Sequence, residues 1–354
     1  MSKNEKQAGL PAKNKSRSAH FSNLYCRTDM ASEIAQEAMR EYSAEHAGAP
    51  DGVECETLHT FGFRVERVRL NTKAAAKKFG KDIGCYTTLF LGEVQNMERH
   101  IQAVAALAWQ LQDCAWHLVG SVQRVLVVGL GNRELTCDAL GPLCVSQLPV
   151  FDPAPSEISD VPVSSSHEDA TSTMSASDDP SSDMSHSASF SDQKHAQETM
   201  VGGSSRCRLF TFAPGVRAQT GMETLSLVRA ARQVCRAQLV VLVDTLAARS
   251  ADWLCKTVQL ADVGVRPGSG IGARTSAIVQ RQLGVPVMTV GVPMLIDAST
   301  MMFDVLQQDP YTPETQAALE RVRGMLVSIS DADVAVNAWA KVIASALEMA
   351  FVEG

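Results

Sequence analysis

The sequence lacks the cysteine and histidine arrangements of a metal centre. Its nine cysteines are scattered singly, with no CxxC pair, which predicts buried or incidental thiols in a reducing compartment. All eight histidines precede residue 200, and none falls at the carboxyl end of a predicted core strand. A hydrolytic zinc site normally recruits histidine. We therefore expect no metal and no other cofactor, while a weak cation site made only of carboxylates stays open.

Long hydrophobic runs are also missing. No stretch approaches the roughly 20 uninterrupted apolar residues that a membrane helix requires. Residues 1–23 are polar and basic and contain no apolar segment of the kind found in a signal peptide. We therefore expect a cytoplasmic protein that does not contact a membrane.

Concentrated positive charge is absent as well. The formal net charge is −7. The stretch between Asp152 and Glu198 contains ten acidic residues and one lysine, so the remainder of the chain carries about +2. A nucleic-acid partner would need a basic face, so none is expected. The segment 152–205, rich in Ser and Asp, has too few large apolar residues to offset its ordering entropy and is predicted to be a disordered insertion.

The rest of the chain has the hydrophobic content and patterning of an α/β fold. A helix over 31–45, strands within 58–70 and 85–92 that flank a lysine-rich turn, and a helix over 95–118 form a small N-terminal α+β addition. Near-continuous apolar strands then indicate a doubly wound, mostly parallel sheet with helices on both faces. The predicted strands cover 122–130, 206–212, 238–244, 257–265 and 286–291, and the helices begin near 138 and cover 222–236, 294–308 and 333–351.

Two aspartates fall where such a sheet places its ligands. Asp138 follows the first core strand after a short loop, and Asp244 closes the apolar run QLVVLVD. Ligands of open α/β sheets collect outside the carboxyl ends of the strands. Burial raises the pKa of a carboxyl group, and a second carboxyl nearby raises it further. One protonated and one ionised acid could activate water and protonate the leaving group of a peptide.

Other interpretations of these residues remain open. Either aspartate could instead cap a helix or anchor a turn, and the pair could bind a divalent cation. Gly129 and Gly131 begin a dinucleotide-binding pattern, but Glu134 stands where the third glycine belongs. Gly131 and Asn132 are candidates for positioning a substrate. The glycine-rich stretch 267–275, with Gly268 and Gly270, is either a substrate-binding loop or a mobile turn.

Several blocks of the chain resemble the germination protease (spore protease, GPR endopeptidase) family. They are CRTDMASE (26–33), VVGLGNRELTCDALGP (127–142), FAPGV (212–216), TGMET (220–224), VDTLAARS (243–250), VQLADVGVRPGSGIG (258–272) and LGVPVMTVGVPMLIDAST (283–300). The family core is similar to that of the hydrogenase maturation peptidases, a phosphorylase/hydrolase-like α/β sheet. The resemblance places the essential aspartates of the family on Asp138 and Asp244 and implies an acid-dyad endopeptidase. In hydrogenase maturation peptidases the equivalent positions help to bind a metal together with a histidine, which has no counterpart here.

The resemblance also implies a zymogen that removes its own N-terminal segment. Family substrates carry an acidic residue before the cut, a hydrophobic residue after it and then alanine, and Asp29, Met30 and Ala31 match that pattern. Residues 1–29 would then be a propeptide, followed by a protease domain in two parts, 30–151 and 206–354. The implied substrates are small acid-soluble spore proteins, degraded at germination in the spore core or forespore, and the implied assembly is a homo-oligomer, a tetramer. Asp29 could otherwise serve only to cap the first helix.

Overall fold

The structure is a computed structural model that describes residues 27–43, 50–149, 207–267, 275–306 and 312–352. All of them belong to one compact unit. The predicted disordered insertion at 152–205, the predicted propeptide up to residue 26, and the glycines Gly268 and Gly270 lie outside the described residues.

Within the described ranges, nine strands form a single sheet in the order β1-β2-β3-β7-β8-β6-β4-β5, and β9 pairs with the end of β8. The strands are β1 (Val53–Thr60), β2 (Phe63–Leu70), β3 (Gly84–Phe90), β4 (Arg124–Gly129), β5 (Arg208–Phe212), β6 (Leu239–Ala248), β7 (Thr257–Ala261), β8 (Val287–Asp297) and β9 (Leu326–Val327).

The α/β class is confirmed, but the sheet is mixed rather than mostly parallel. Among the strands of the described residues, only β5, β4, β6 and β8 run parallel to one another, and every other pairing is antiparallel. The N-terminal strands extend the same sheet through β7 instead of forming a separate addition. β1 and β2 are joined by Phe61 and Gly62, both with positive φ, and a connection of two residues joins only antiparallel neighbours.

The helices differ from the predicted ones mainly at their ends. They are α1 (Ala31–Ser43), α2 (Lys73–Phe79), α3 (Met97–Val119), α4 (Leu140–Val145), α5 (Arg217–Thr220), α6 (Thr224–Cys235), α7 (Gln280–Leu283), α8 (Ala298–Leu306), α9 (Pro313–Val322) and α10 (Ala332–Phe351). The lysine-rich segment predicted as a turn contains α2, which begins after the cap Thr72. The helix predicted from 294 begins at Ala298, because Met294–Asp297 still belong to the buried strand β8.

Alternating residues of the parallel strands pack into cores on opposite faces of the sheet. Val125, Val127 and Val241 face the larger core together with α3 and α10, whereas Leu126 and Val240 face the core that includes α6. α10 has the length and composition of a membrane span, but most of it is buried, and the indole N–H of Trp339 donates to the Cys255 carbonyl (2.8 Å). The core thus accounts for the apolar character of this helix.

Candidate active site

The segment that carries Asp138 lies directly on the end of β4 and on Val243 in the middle of β6. It consists of a loop after Gly129, a 3-10 turn (Thr136–Asp138) and α4. A Cβ atom on Gly141 would lie 2.5 Å from the Val243 carbonyl oxygen, so only glycine permits this approach. Gly131, at φ +112°, is equally close to Asp138: an added Cβ would lie 2.1 Å from the Asp138 carbonyl oxygen. Both glycines therefore help to fix the position of the Asp138 backbone.

Asp244 lies within β6, one residue beyond the end of its pairing with β4. Gly129 at the end of β4 is paired with Val243, and Asp244 is paired with Gly291 of β8. The side chain is only 6% exposed, and its Oδ1 accepts a hydrogen bond from the Thr245 N–H (2.9 Å). Asp244 is thus a buried carboxyl just beyond the carboxyl end of β4, but it does not end its own strand as the sequence predicts, because β6 continues to Ala248.

The carboxyl groups of Asp138 and Asp244 interact electrostatically, and the two are not equivalent. Burial, followed by the nearby charges of Asp138 and Asp29, raises the pKa of Asp244 well above its usual value. Burial also raises the pKa of Asp138, but a hydrogen bond from the Asn132 N–H to its Oδ2 (2.8 Å) favours the charged form. The protonated form is therefore favoured more strongly at Asp244 than at Asp138.

The segment that contains Asp29 occupies the edge of β6 beyond the end of β4. Asp29 donates its backbone N–H to the Ala247 carbonyl (2.8 Å), and its Oδ2 accepts the Ala247 N–H (2.9 Å). Residue 29 is thus joined to β6 by one backbone and one side-chain hydrogen bond. It lies on the strand that carries Asp244, close enough for its charge to raise the pKa of Asp244.

Two side chains donate hydrogen bonds to the backbone carbonyl of Asp29. The Nζ of Lys81 lies 2.7 Å from this oxygen, and the Nε2 of Gln259 lies 3.1 Å from it. Gln259 also accepts the Ala31 N–H at its Oε1 (2.7 Å), so its amide group bridges the Asp29–Met30 bond. Polar groups therefore contact the backbone on both sides of this bond.

A row of paired residues places Gln259 and Asp244 on the same face of the sheet. Thr88 of β3 is paired with Gln259 of β7, Gln259 with Gly291 of β8, and Gly291 with Asp244 of β6. Directly paired residues point to the same side of a sheet. Ser32 donates to the Thr88 hydroxyl (2.8 Å) on this face, so the segment after Asp29 crosses the row toward β3.

The chain that follows Asp29 is held by buried contacts. Met30 and Ala31 are fully buried. Glu33 accepts the N–H groups of Arg249 and Ser250, each at 2.8 Å. Burial raises the pKa of Glu33, while its hydrogen bonds oppose that shift. These contacts fix the register of the predicted cleavage site relative to β6.

The predicted site residues divide into those near the aspartates and those outside the described chain. Gly131 and Asn132 lie against Asp138, and the Asn132 side chain additionally accepts from Glu134 N–H (3.1 Å) and the Gln219 amide (2.7 Å). Their role in positioning a substrate stays a prediction. Gly268 and Gly270 fall in the undescribed stretch.

Sequence reasoning missed Lys81 and Gln259. Lys81 is one of several lysines in a stretch taken to be a turn, although it follows the left-handed Gly80 that ends α2. Gln259 is a buried amide in the apolar strand TVQLA, and a buried polar residue in such a strand is the signal that could have identified it.

These features define an α/β protein with a buried, acidic candidate active site on one face of a mixed sheet. The family model for germination protease matches residues 29–154 and 194–308. The germination protease of Oceanobacillus iheyensis is 31% identical over 79% of this chain and 66% of its own length. Those of Caldanaerobacter subterraneus subsp. tengcongensis and Bacillus subtilis are each 28% identical, over 80% and 79% of this chain and 73% and 66% of their own lengths. The chain belongs to the germination protease family, which confirms the resemblance, and it is a spore protease.

Proposed function

We propose that this peptidase is an acid-dyad endopeptidase made as a zymogen, in which Asp138 and Asp244 cut the Asp29–Met30 bond and then cut protein substrates. The position of Asp29 is the observation that best supports this proposal. Asp29 is hydrogen-bonded to Ala247 on the strand of Asp244, and its charge contributes to the raised pKa of Asp244. The predicted cleavage site and the predicted dyad, identified from separate parts of the sequence, are therefore neighbours.

The unequal environments of the two carboxyl groups support different roles for them. Ionised Asp138 takes a proton from a water molecule as the water oxygen attacks the carbonyl carbon of Asp29. Protonated Asp244 gives its proton to the Met30 nitrogen as the C–N bond breaks. The products are a carboxyl group on Asp29 and an amino group on Met30, and transfer of a proton from Asp138 to Asp244 restores the starting state.

The test uses the full chain and the isosteric changes Asp138→Asn and Asp244→Asn. Asparagine retains an oxygen for the Asn132 and Thr245 N–H groups, so both variants should fold. Incubation at mildly acidic pH, followed by intact mass and N-terminal sequencing, should give a chain that begins at Met30 for the unmodified protein and no cleavage for either variant.

Asp262→Asn provides the matched control. Asp262 is a half-buried aspartate with a raised pKa, and its Oδ1 accepts the Cys85 N–H (2.7 Å). The Asp262→Asn chain should cleave its own Asp29–Met30 bond at the normal rate. A processed N-terminus other than Met30 would overturn the assigned cleavage site, and cleavage by a folded Asp138→Asn or Asp244→Asn chain would overturn the dyad.

Two alternatives have distinct outcomes in the same assay. A metal-assisted peptidase, similar to the hydrogenase maturation enzymes, would lose activity with a chelator and regain it with added divalent metal. A non-catalytic α/β binding module would leave residues 1–29 attached in every sample, including the unmodified protein.

We propose small acid-soluble spore proteins as the substrates, on the basis of family membership and of the match between residues 29–31 and the substrate pattern. The enzyme would act in the cytoplasm of the spore as a homo-oligomer. Incubation of the processed enzyme with such a protein should produce cuts after acidic residues, and light scattering of the enzyme would give the number of subunits.

A further inference from the structure

We infer that Lys81 and Gln259 form the oxyanion-binding pair of the peptidase. The inference rests on the proposed function, because it takes the Asp29–Met30 bond as a substrate of the site. Lys81 Nζ and Gln259 Nε2 donate to the carbonyl oxygen of Asp29 at 2.7 and 3.1 Å. This oxygen belongs to the carbonyl group that the attacking water would convert into a tetrahedral intermediate.

The two donors match what hydrolysis of this bond requires. When water adds to the carbonyl carbon, the carbonyl electrons move to the oxygen, which becomes negatively charged. Donors about 2.7–3.1 Å from that oxygen stabilise the charge and lower the barrier. A protonated lysine and a primary amide provide a charged and a neutral hydrogen bond, and the charged bond is the stronger of the two.

Lys81 interacts with the charge of Asp29 as well as with its carbonyl oxygen, so its ammonium group can both hold the segment and bind the oxyanion. The residue is half-buried at the C-terminal end of α2, where its N–H donates to the Ala76 carbonyl (3.0 Å). Burial lowers the pKa of Lys81, whereas the charge of Asp29 opposes this shift. A neutral carbonyl does not require an ammonium group, whose burial is unfavourable. A carbonyl that acquires negative charge during the reaction does benefit from it.

Gln259 is held in one orientation by the peptide itself. Its Oε1 accepts the Ala31 N–H at 2.7 Å, which leaves its Nε2 directed at the Asp29 carbonyl. The same amide therefore contacts residues on both sides of the bond and lies on the sheet face of Asp244. A separate substrate bound in the same register would receive the same two hydrogen bonds.

The reaction balances without proton transfer by either donor. The oxyanion receives hydrogen bonds from Lys81 and Gln259, the carbonyl re-forms as the C–N bond breaks, and the electron pair of that bond goes to the Met30 nitrogen. That nitrogen takes its proton from Asp244, and the water proton goes to Asp138. Lys81 and Gln259 leave the step in the state in which they entered it.

The test measures the first-order rate of self-cleavage in the full chain. The bond is already bound in this reaction, so the rate reports on the chemical step rather than on affinity. Loss of one donor through Lys81→Met or Gln259→Met should slow cleavage roughly 100- to 1000-fold. Lys81→Arg, which retains a cationic donor, should recover part of the rate. Lys78→Met, at an exposed lysine of α2, the helix that ends just before Lys81, should cleave normally.

A second measurement separates chemistry from anchoring of the segment. Hydrogen exchange of the Met30 and Ala31 amides is compared with and without Lys81→Met in the uncut Asp244→Asn chain. Slow cleavage with unchanged amide protection supports the inference. Cleavage of folded Lys81→Met and Gln259→Met chains at the normal rate would overturn it, as would slow cleavage accompanied by loss of amide protection.

The outcomes also distinguish this inference from the proposed function. If the unmodified chain processes at Met30 and the two Asp→Asn variants do not, the dyad stands whatever the Lys81 and Gln259 variants do. If the Asp→Asn variants process normally, the proposed function fails before the oxyanion pair is considered.

Discussion

The carboxyl group of Asp29 accepts a hydrogen bond of 2.9 Å from the backbone N–H of Ala247, three residues beyond Asp244 on the same strand. Because the donor is a backbone group, it requires an acceptor from the peptide and cannot be altered by a side-chain substitution. If the chain is cut after Asp29, as proposed, this contact gives the site a physical means of selecting an acidic residue at that position.

The first prediction concerns that selection. Asp29→Asn keeps an oxygen acceptor for the Ala247 N–H, whereas Asp29→Ala leaves this donor without its partner. Hydrogen bonds to charged groups contribute about 1.5–3 kcal/mol, so self-cleavage of Asp29→Ala should be slower by roughly 10- to 100-fold. Asp29→Asn should fall between Asp29→Ala and the unmodified chain.

The measurement is the single-turnover appearance of the Met30 N-terminus. Equal rates for Asp29→Ala and the unmodified chain would show that the Ala247 contact does not select the residue. Asp51→Ala, at an exposed aspartate before β1, is the control and should process normally.

The second prediction concerns the dependence of stability on pH. An unfolded aspartate has a pKa of about 3.9, and burial together with the charge of Asp138 raises the pKa of Asp244 well above that value. Between the two pKa values the folded chain binds a proton that the unfolded chain does not bind, so raising the pH through this window lowers the free energy of unfolding.

Asp244→Asn removes that proton equilibrium. The variant should therefore be more stable than the unmodified chain at neutral pH, by about 1.4 kcal/mol for each unit of the pKa difference, and the two should converge below the pKa of an unfolded aspartate. Urea unfolding across the pH range measures the difference. A difference in the free energy of unfolding that is the same at every pH would contradict the prediction. Asp51→Asn, at an exposed aspartate, serves as the control.

The third prediction concerns the loop that positions Asp138. Alanine at Gly131 would be strained at φ +112°, and its Cβ would lie 2.1 Å from the Asp138 carbonyl oxygen. Gly131→Ala should therefore displace Asp138 and slow self-cleavage by more than its effect on stability explains. Gly221→Ala separates strain from contact, because Gly221 has φ +69° but no atom of the described residues lies within 4 Å of an added Cβ.

The strain at Gly221 should cost about 1–2 kcal/mol and leave the cleavage rate unchanged. Both variants are compared by thermal unfolding and by the rate of processing. Normal processing of a folded Gly131→Ala chain would show that the position of Asp138 does not depend on this close contact.

The aspartates could be located from sequence because each lies in a short local pattern. Asp244 follows the apolar run LVVLV inside β6, which continues to Ala248, and Asp138 follows β4 after one short loop, so their placement depends mainly on local chain direction. The α/β class and most helices followed in the same way from periodicity. The aspartates' catalytic role remains a prediction.

The strand directions could not be obtained from the same patterns. β7 and β8 are apolar because both faces of the sheet are covered, and this is true of an antiparallel pair as well as of a parallel one. The apolar runs therefore correctly predicted that β7 and β8 are buried but wrongly predicted that they run parallel to each other.

Lys81 and Gln259 were missed for a related reason. Their contacts with Asp29 span 52 and 230 residues of sequence, and they depend on the order in which β3, β7, β8 and β6 lie in the sheet. That order is a property of the assembled tertiary structure, and no short motif encodes it.

The wide separation of the groups around Asp29 has a consequence for the self-cleavage proposed above. The donors Lys81, Ala247 and Gln259 come from three distant segments, and they surround one peptide bond only after the sheet has assembled. A nascent or misfolded chain lacks this environment, so its leader, the predicted propeptide 1–29, would stay attached. Loss of the leader would thus act as an internal quality check that releases only correctly folded molecules as active enzyme.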